Sequence, residues 1–449
     1  MAIQKAHKVE DIYNAVLDEA LTIDEIANFY RETDAARGDG SARFNLKRLI
    51  KQNSKSKRDA HILFVGYRGC GKSTELNHLQ RDLEDDYAIL NYSVMKELDP
   101  QSMNYIELFI VTMERLIDYV SEKELIIDPA FLERIKKWTQ TKEIEEIKEK
   151  HFSAEVNAGI NAKFGIPYLK EFFLSLKGSA KASKSFKETL KQTLEPRLAD
   201  LVQHCNDLIS EVSVKLSAQG VKDLVIFIED VDKIPLERAK DVFYNYANQL
   251  TSLRATVIYT FPISLYYNSA FGLIKSYFES VELPMVKIAN KDGSDYSEGI
   301  NVLKEIVYAR VDKQLFVTEN ILLQMIKKTG GVIRDLFAII NDASQMAEYQ
   351  GKAAIDEVCF TTAYNTLKKE YDITIADHSE NGTLKFTAKQ QYEAMAAVVK
   401  DEKKKPENSD IMMLLRQNLC VLSYNGEGWC DIHPAVKDIL INRGYLEPA

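Results

Sequence analysis

Eight consecutive residues, Gly66-Tyr67-Arg68-Gly69-Cys70-Gly71-Lys72-Ser73, follow the pattern G-x-x-x-x-G-K-[ST] in full. An apolar run, HILFVG from His61 to Gly66, leads in and the helical pattern STELNHLQRDLED leads out, the strand-to-helix context that a phosphate-cradling loop requires. The glycines let successive backbone N–H groups point into one concavity, and the helix N-terminus adds the positive end of its dipole. Lys72 can reach β- and γ-phosphates, and the Ser73 hydroxyl can ligate Mg²⁺. The expected nucleotide-binding set is Gly66, Arg68, Gly69, Cys70, Gly71, Lys72, Ser73 and Thr74, with ATP and Mg²⁺ as cofactors. A plain glycine turn between strand and helix would not demand Lys-Ser at its end.

Phosphoryl transfer to water also needs one carboxylate to hold the metal and another to orient the attacking water, both at the end of a neighbouring strand. Val225-Ile226-Phe227-Ile228 reads as a buried strand ending in Glu229 and Asp230, and ligands of α/β sheets bind at the C-terminal strand ends. Glu229 is assigned with Ser73 to the metal and Asp230 to the water. The alternative register makes Asp230 the metal ligand with Asp232 helping. An acidic turn capping a strand is the competing structural reading. Thr260, the polar residue of VIYTFP, can touch the γ-phosphate or the lytic water from the next strand, or be structural. Arg334 falls in the first turn of a helix opened by Thr329-Gly330-Gly331-Val332-Ile333, a poor place for a cation by dipole logic. A phosphate nearby would account for it, as would a salt bridge.

These residues need a scaffold. Further strand patterns occur at YAILNYSV near Tyr87, LVIFIED from Leu224, ATVIYTF from Ala255 and VELPMVKI from Val281, with helical segments between them. That alternation predicts a parallel sheet with flanking helices. Residues 1–45 read as an N-terminal helical segment, and the polar stretch from Asp34 to Asp59 as a connector ending in a short basic helix. Residues 46–288 would form the sheet domain and 289–380 an all-helical lid. The last segment, 381–449, reads as helices, a hairpin turning at Asn425 and Gly426, and a closing helix, the pattern of a winged helix.

From Ser73 to Glu229 is 156 positions, several-fold more than a strand-helix-strand passage needs, so a long insertion is expected at about 122–220. Within it, Lys150 to Lys191 holds eight Lys against Glu155, Glu171 and Glu188, or +5 in a chain of net charge −9. That stretch would suit a nucleic-acid, membrane-surface or subunit contact, or simply pack on the sheet domain. From Lys385 onward nine basic side chains meet nine acidic ones, and a neutral module lacks the usual footprint of DNA binding.

The 449 residues, 45% hydrophobic and 28% charged, exceed one ordinary core and exclude a disordered or fibrous chain. No apolar run approaches the ~18 residues of a membrane span, and the start lacks a signal-peptide core, so the chain is expected in the cytoplasm. Cys70, Cys205, Cys359, Cys420 and Cys430 are odd in number and mostly scattered, which predicts reduced thiols. Cys420, Cys430 and His433 cluster without a C-x-x-C spacing, a weak zinc signal.

Taken together, the complete Walker A motif, the strand with adjacent acids, the polar residue closing the next strand, GGVIRDL and the terminal winged-helix pattern resemble an AAA+/STAND-type P-loop ATPase. Within that group the layout is similar to ATPases of the origin-recognition-complex kind, and the VIFIEDVDKI strand resembles the KAP and related prokaryotic NTPases. The resemblance spans about residues 40–449. It implies an α/β P-loop NTPase with a helical lid and a winged-helix domain, Thr260 as sensor 1, and Arg334 as a sensor 2 that reports nucleotide state. Glu229 stands where Asp is usual, and no arginine finger can be picked out. The implied function is an ATP-hydrolysing switch or assembly ATPase acting through self-association or a protein effector, in a prokaryotic defence or stress system. The alternatives are a DNA-loading, initiator-like ATPase that contacts nucleic acid through residues 150–191 or the winged helix, and a low-turnover nucleotide-binding scaffold.

Overall fold

The computed structural model describes residues 3–38, 40–161, 163, 165–380, 382–401, 408–424 and 429–448. Five strands, β1 (Ala60–Gly66), β2 (Tyr87–Ser93), β3 (Asp223–Glu229), β4 (Thr256–Pro262) and β5 (Glu279–Leu283), form one sheet in the order β2-β3-β4-β1-β5. Every pairing is parallel. The β1 residues are buried along the whole strand, which is why its apolar run is continuous rather than alternating. The expected strand from Val281 ends at Leu283, because Pro284 has no N–H to continue the ladder and its carbonyl instead accepts from Arg37. The order places β4 between the loop-bearing β1 and the acid-bearing β3. Phe64 lies opposite Thr260, and Ser93 at the end of β2 lies opposite Glu229.

The connector holds a fifteen-residue helix, Ala42–Ser56, longer than its composition suggests, started by Ser41 Oγ accepting from the Phe44 N–H at 3.0 Å. The elements described between β2 and β3 are all helices, and helix Ile166–Ala182 packs along Tyr105–Glu122. Six of the eight Lys in the basic stretch are engaged. Lys170 pairs with Asp118 at 2.7 Å, Lys177 with Glu97 and Glu114 at 2.6 and 2.7 Å, Lys187 with Glu107 at 3.3 Å, and Lys163 with Glu171 at 2.8 Å. Lys181 donates to the Lys96 carbonyl and Lys191 to the Tyr246 hydroxyl. Most of the local positive charge is therefore engaged by neighbouring helices between β2 and β3.

A second apolar core joins N-terminal residues between Ala6 and Ala36 to residues from Val286 to Leu440. Ala6 is stitched to the helix end at Arg310 and Asp312 by backbone hydrogen bonds of 2.7 and 3.0 Å, so the N-terminal segment packs as a strap on the helices beyond the sheet. A small hairpin, β6 (His378–Glu380) with β7 (Thr383–Phe386), was not visible in the sequence pattern. Helices Ala388–Lys400 and Asp410–Gln417, the antiparallel pair β8 (Val421–Tyr424) and β9 (Trp429–Ile432), and helix Pro434–Asn442 follow. The turn expected at Asn425 and Gly426 lies outside the described residues. Among the described residues no helix is long and apolar enough to cross a membrane.

Candidate functional site

The loop after β1 turns through two positive-φ glycines, Gly69 at 73° and Gly71 at 101°, a region other L residues rarely enter. A Cβ on Gly69 would stand 2.7 Å from Arg334 Cβ, so glycine is also what lets the first turn of helix Ile333–Tyr349 approach the loop. Helix Lys72–Leu83 leaves from Gly71. Lys72 is buried, its Nζ donating to the carbonyls of Gly66 at 2.9 Å and Tyr67 at 2.7 Å and pairing with Asp232 at 2.9 Å. Asp232 is wholly buried. Desolvation pushes its carboxyl up, but Lys72 and a hydrogen bond from Thr260 outweigh that and hold it below the usual range.

Glu229 is buried at the end of β3. Desolvation raises its pKa, opposed by hydrogen bonds from Ser73 and Asn91. The Ser73 hydroxyl and Glu229 carboxylate, brought together from β1's loop and from β3, are the hard oxygen donors that Mg²⁺ prefers, and the pair fits that ion. Bound there, Mg²⁺ would supply charge stabilisation at the phosphates. Asp230 takes the left-handed conformation at φ 66°. Its carboxylate accepts from Ser93 Oγ and pairs with Lys233 at 2.7 Å. Thr260 Oγ1 accepts from the Val231 N–H at 3.1 Å while its hydroxyl reaches Asp232, so it shapes the loop that carries the acids.

Arg334 lines the same cleft, with Nε 2.6 Å from Asp18 of the strap. Arg68 donates from Nε to the Asp232 carbonyl at 3.2 Å, and burial lowers its pKa, with Arg334 adding repulsion. The cleft brings together the phosphate loop, Asp232 and Lys233, strap residues from Leu17 to Arg37, and Ile306, Arg310, Ile333, Arg334 and Phe337, cationic groups beside apolar walls, a composition suited to a nucleotide. Gly66 and Cys70 stay behind it, with the Cys70 carbonyl turned to Arg37 Nη2 at 2.7 Å.

Sequence reasoning missed the strap. Arg37 is buried and clamps the loop from Thr33, at 2.8 Å, to the Cys70 and Pro284 carbonyls. Leu21 donates its N–H to Thr74 Oγ1 at 3.3 Å, and Asn77 Nδ2 donates to the Leu21 carbonyl at 2.8 Å. Nothing in the local pattern of residues 17–37 marks these contacts, and the partners outside the strap lie 33 to 247 positions away. The contacts of the C-terminal unit with the phosphate loop were missed as well. Tyr67, an unspecified position of the motif, sends its hydroxyl to the Val421 carbonyl at 3.1 Å and Ser423 Oγ at 3.0 Å and accepts from the Ser423 N–H at 2.9 Å. Tyr424 donates to the Gly330 carbonyl at 2.7 Å. His433 Nδ1 accepts from the Ala435 N–H at 3.2 Å, and its Nε2 lies 3.1 Å from Asp335 Oδ2. His433 and Cys430 thus serve internal contacts, Cys430 lying 3.2 Å from Ser423 Oγ, and no three-ligand metal cluster occurs among the described residues.

No protein-family model matches the chain, and no curated protein matches it. Among solved structures it is similar to the ORC1 protein of Aeropyrum pernix in complex with DNA, at 9% identity and TM-score 0.39 over 94% of this chain and 95% of that one. It is also similar to the Holliday junction branch migration motor RuvB of Thermotoga maritima, at 10% identity and TM-score 0.34 over 94% and 99%. Drosophila ORC bound to DNA matches at 11% identity and TM-score 0.36 over 91% of this chain and 74% of that one. The parallel five-stranded sheet, its flanking helices and the loop between β1 and its helix make the fold an α/β P-loop NTPase fold.

Proposed function

We propose that the protein is a Mg²⁺-dependent ATPase that works as a nucleotide-gated switch, in which a C-terminal winged-helix unit (381–449) reads the nucleotide site and passes its state to a protein partner or a second copy. In this reading residues 289–380 form the lid, Lys72 and the loop amides hold the β- and γ-phosphates, Ser73 and Glu229 hold the metal, Asp230 orients water, and Thr260 and Arg334 sense the γ-phosphate. One observation carries the switch. The hairpin β8–β9 and its flanks touch both walls of the cleft, the phosphate loop through Tyr67 and the Arg334 helix through Gly330 and Asp335. A lid that moves against the loop must break or re-form one of these buried contacts, and bistable packing of that kind converts a small shift into a switch. The initiator-like reading draws less support, since most lysines of 150–191 are engaged internally and the C-terminal unit is neutral.

The test is calorimetry with Mg-ATP combined with hydrogen exchange of the hairpin. Lys72→Ala should lose ATP affinity strongly and lose the ATP-dependent change in hairpin exchange together. Equal affinity in both proteins would remove the P-loop assignment. Intact binding with no hairpin response in wild type would remove the switch.

A further inference from the structure

The cleft has apolar walls formed by Leu17, Leu21, Phe29, Ile306, Ile333 and Phe337. Arg310, the last residue of helix Ser297–Arg310, lines this apolar part of the cleft beside Phe337. It is 4% exposed, and neither Nε nor Nη1 has a hydrogen-bond partner among the described residues. Its guanidinium lies 4.7 Å from the centre of the Phe337 ring. The acid it feels most, Glu25, already accepts from the Ile3 N–H at 2.7 Å and the Thr22 N–H at 2.9 Å. Arg31, the other nearby cation, repels it and spends its own Nη1 on the Asn28 and Tyr30 carbonyls. Burial pulls the Arg310 pKa down to about 10, which leaves it charged at neutral pH.

Packing alone does not account for this residue. An unpaired buried cation carries a desolvation penalty that a cation–π contact returns only in part. Met would fill the same space without the penalty. The offset must come from something that enters the cleft carrying hydrogen-bond acceptors, because a guanidinium only donates. The strap fixes what reaches this part. Leu21 is tied to Thr74 and Asn77 at the start of the loop's helix, so a triphosphate seated on the loop leaves its nucleoside for the apolar walls.

We propose that Arg310 reads the base, donating from the apolar part of the cleft to ring-nitrogen or carbonyl acceptors of a purine. This rests on the nucleotide reading above and adds to it a residue that distinguishes a nucleotide from a bare polyphosphate. Adenine and guanine both present such acceptors, guanine the pair O6 and N7, adenine N7 beside a donor amino group.

The experiment is calorimetry with Mg²⁺ and three probes, ATP, GTP and inorganic tripolyphosphate, on wild type and Arg310→Met, with thermal melting in parallel. The expected result is at least a tenfold loss of nucleotide affinity in Arg310→Met with tripolyphosphate within twofold of wild type. An equal loss for ATP and GTP assigns the contact to an acceptor they share, and a larger loss for GTP assigns it to O6. Unchanged nucleotide affinity, or an equal loss for tripolyphosphate, overturns the proposal. If wild type binds none of the three probes, the nucleotide reading falls and this inference with it. Should Arg310→Met melt below the assay temperature, Arg310→Lys keeps the charge but not the planar fork, and is expected to show a smaller loss confined to the nucleotides. No such loss overturns the proposal as well.

Discussion

Removing one oxygen atom from the phosphate loop tests whether the C-terminal unit reads the loop. In Tyr67→Phe the ring keeps its packing, but the Ser423 N–H loses its acceptor at 2.9 Å, and the hydroxyl proton shared between the Val421 carbonyl and Ser423 Oγ disappears. Ser423 is buried, so its N–H cannot turn to water, and an orphaned buried donor costs ~1–3 kcal/mol. The strand below should not notice, since β1 pairs along its full length with β4 and over Ile62–Gly66 with β5. The penalty therefore falls on the docking of β8 and β9. Opening of the hairpin should become roughly 5- to 150-fold more frequent, which is ~1–3 kcal/mol expressed as a ratio. Hydrogen exchange of peptides covering 421–424 and 429–432 reads this directly, with β1 and β4 peptides as internal controls. Mg-ATP should shift hairpin exchange in wild type and shift it much less in Tyr67→Phe, at similar ATP affinity. Exchange of the hairpin that matches wild type, or a change confined to the sheet, would refute the coupling.

Asp230→Asn should keep Mg-ATP binding and lose turnover, because the amide suits the left-handed backbone at residue 230 but lacks the charge, whereas Glu229→Gln should weaken the Mg-dependent part of binding. The opposite pattern in paired binding and phosphate-release assays would move the metal to Asp230. Asp18→Asn should tighten ATP binding two- to fivefold by calorimetry, the size of a half-exposed ion pair of ~0.4–1 kcal/mol, since Asp18 competes with phosphate for Arg334; weaker binding would place Asp18 on the ligand's side. His61 donates to the Leu253 carbonyl at 3.0 Å, and burial pulls its pKa from 6.5 down to about 4. Its contribution to stability is thus complete above pH 6.5 and is lost as pH falls toward 4, at most roughly 3 kcal/mol by linkage. Urea titrations should show a smaller acid loss in His61→Gln than in wild type, and equal losses would discharge His61 from that role.

What the sequence made legible was local and what it hid was long-range. The strand-loop-helix at 60–83 could be read because its apolar run, glycines and Lys-Ser are contiguous, and each has one physical reason to be where it is. The buried runs at β3 and β4 announced themselves by the same continuity, whereas β2 alternates buried and half-buried residues. Strand order was invisible, since nothing in VIYTFP says that β4 slips between β1 and β3 and carries Thr260 to the Asp232 loop. Lys72 looked like a free point charge, and only the fold shows it held by Asp232 and two carbonyls. Arg310 resembled any charged residue of an amphipathic helix until the strap and Phe337 closed over it. The lysines of 150–191 looked like a binding face because their partners, Glu97, Glu107, Glu114 and Asp118, lie in a different part of the sequence.

These contacts also say how binding at the loop would be felt elsewhere. Each cation near the phosphate loop already has an oxygen partner that a triphosphate would compete for: Lys72 has Asp232 and the Gly66 and Tyr67 carbonyls, and Arg334 has Asp18. Phosphate binding is therefore an exchange of partners, and its free energy is the difference between two sets of charge-assisted hydrogen bonds rather than the full value of either. The partners given up belong to three separate elements. Asp232 sits on the loop that Thr260 braces, the Tyr67 carbonyl belongs to the residue whose side chain is fixed in β8, and Asp18 lies on the N-terminal strap. A ligand can bias a conformation only through differential contacts with its two states, and here the exchange itself supplies them. Releasing Asp18 would loosen the strap from the Arg334 helix, and drawing Lys72 off the Tyr67 carbonyl would perturb the residue that pins the C-terminal hairpin, so that strap and hairpin would respond to the same event.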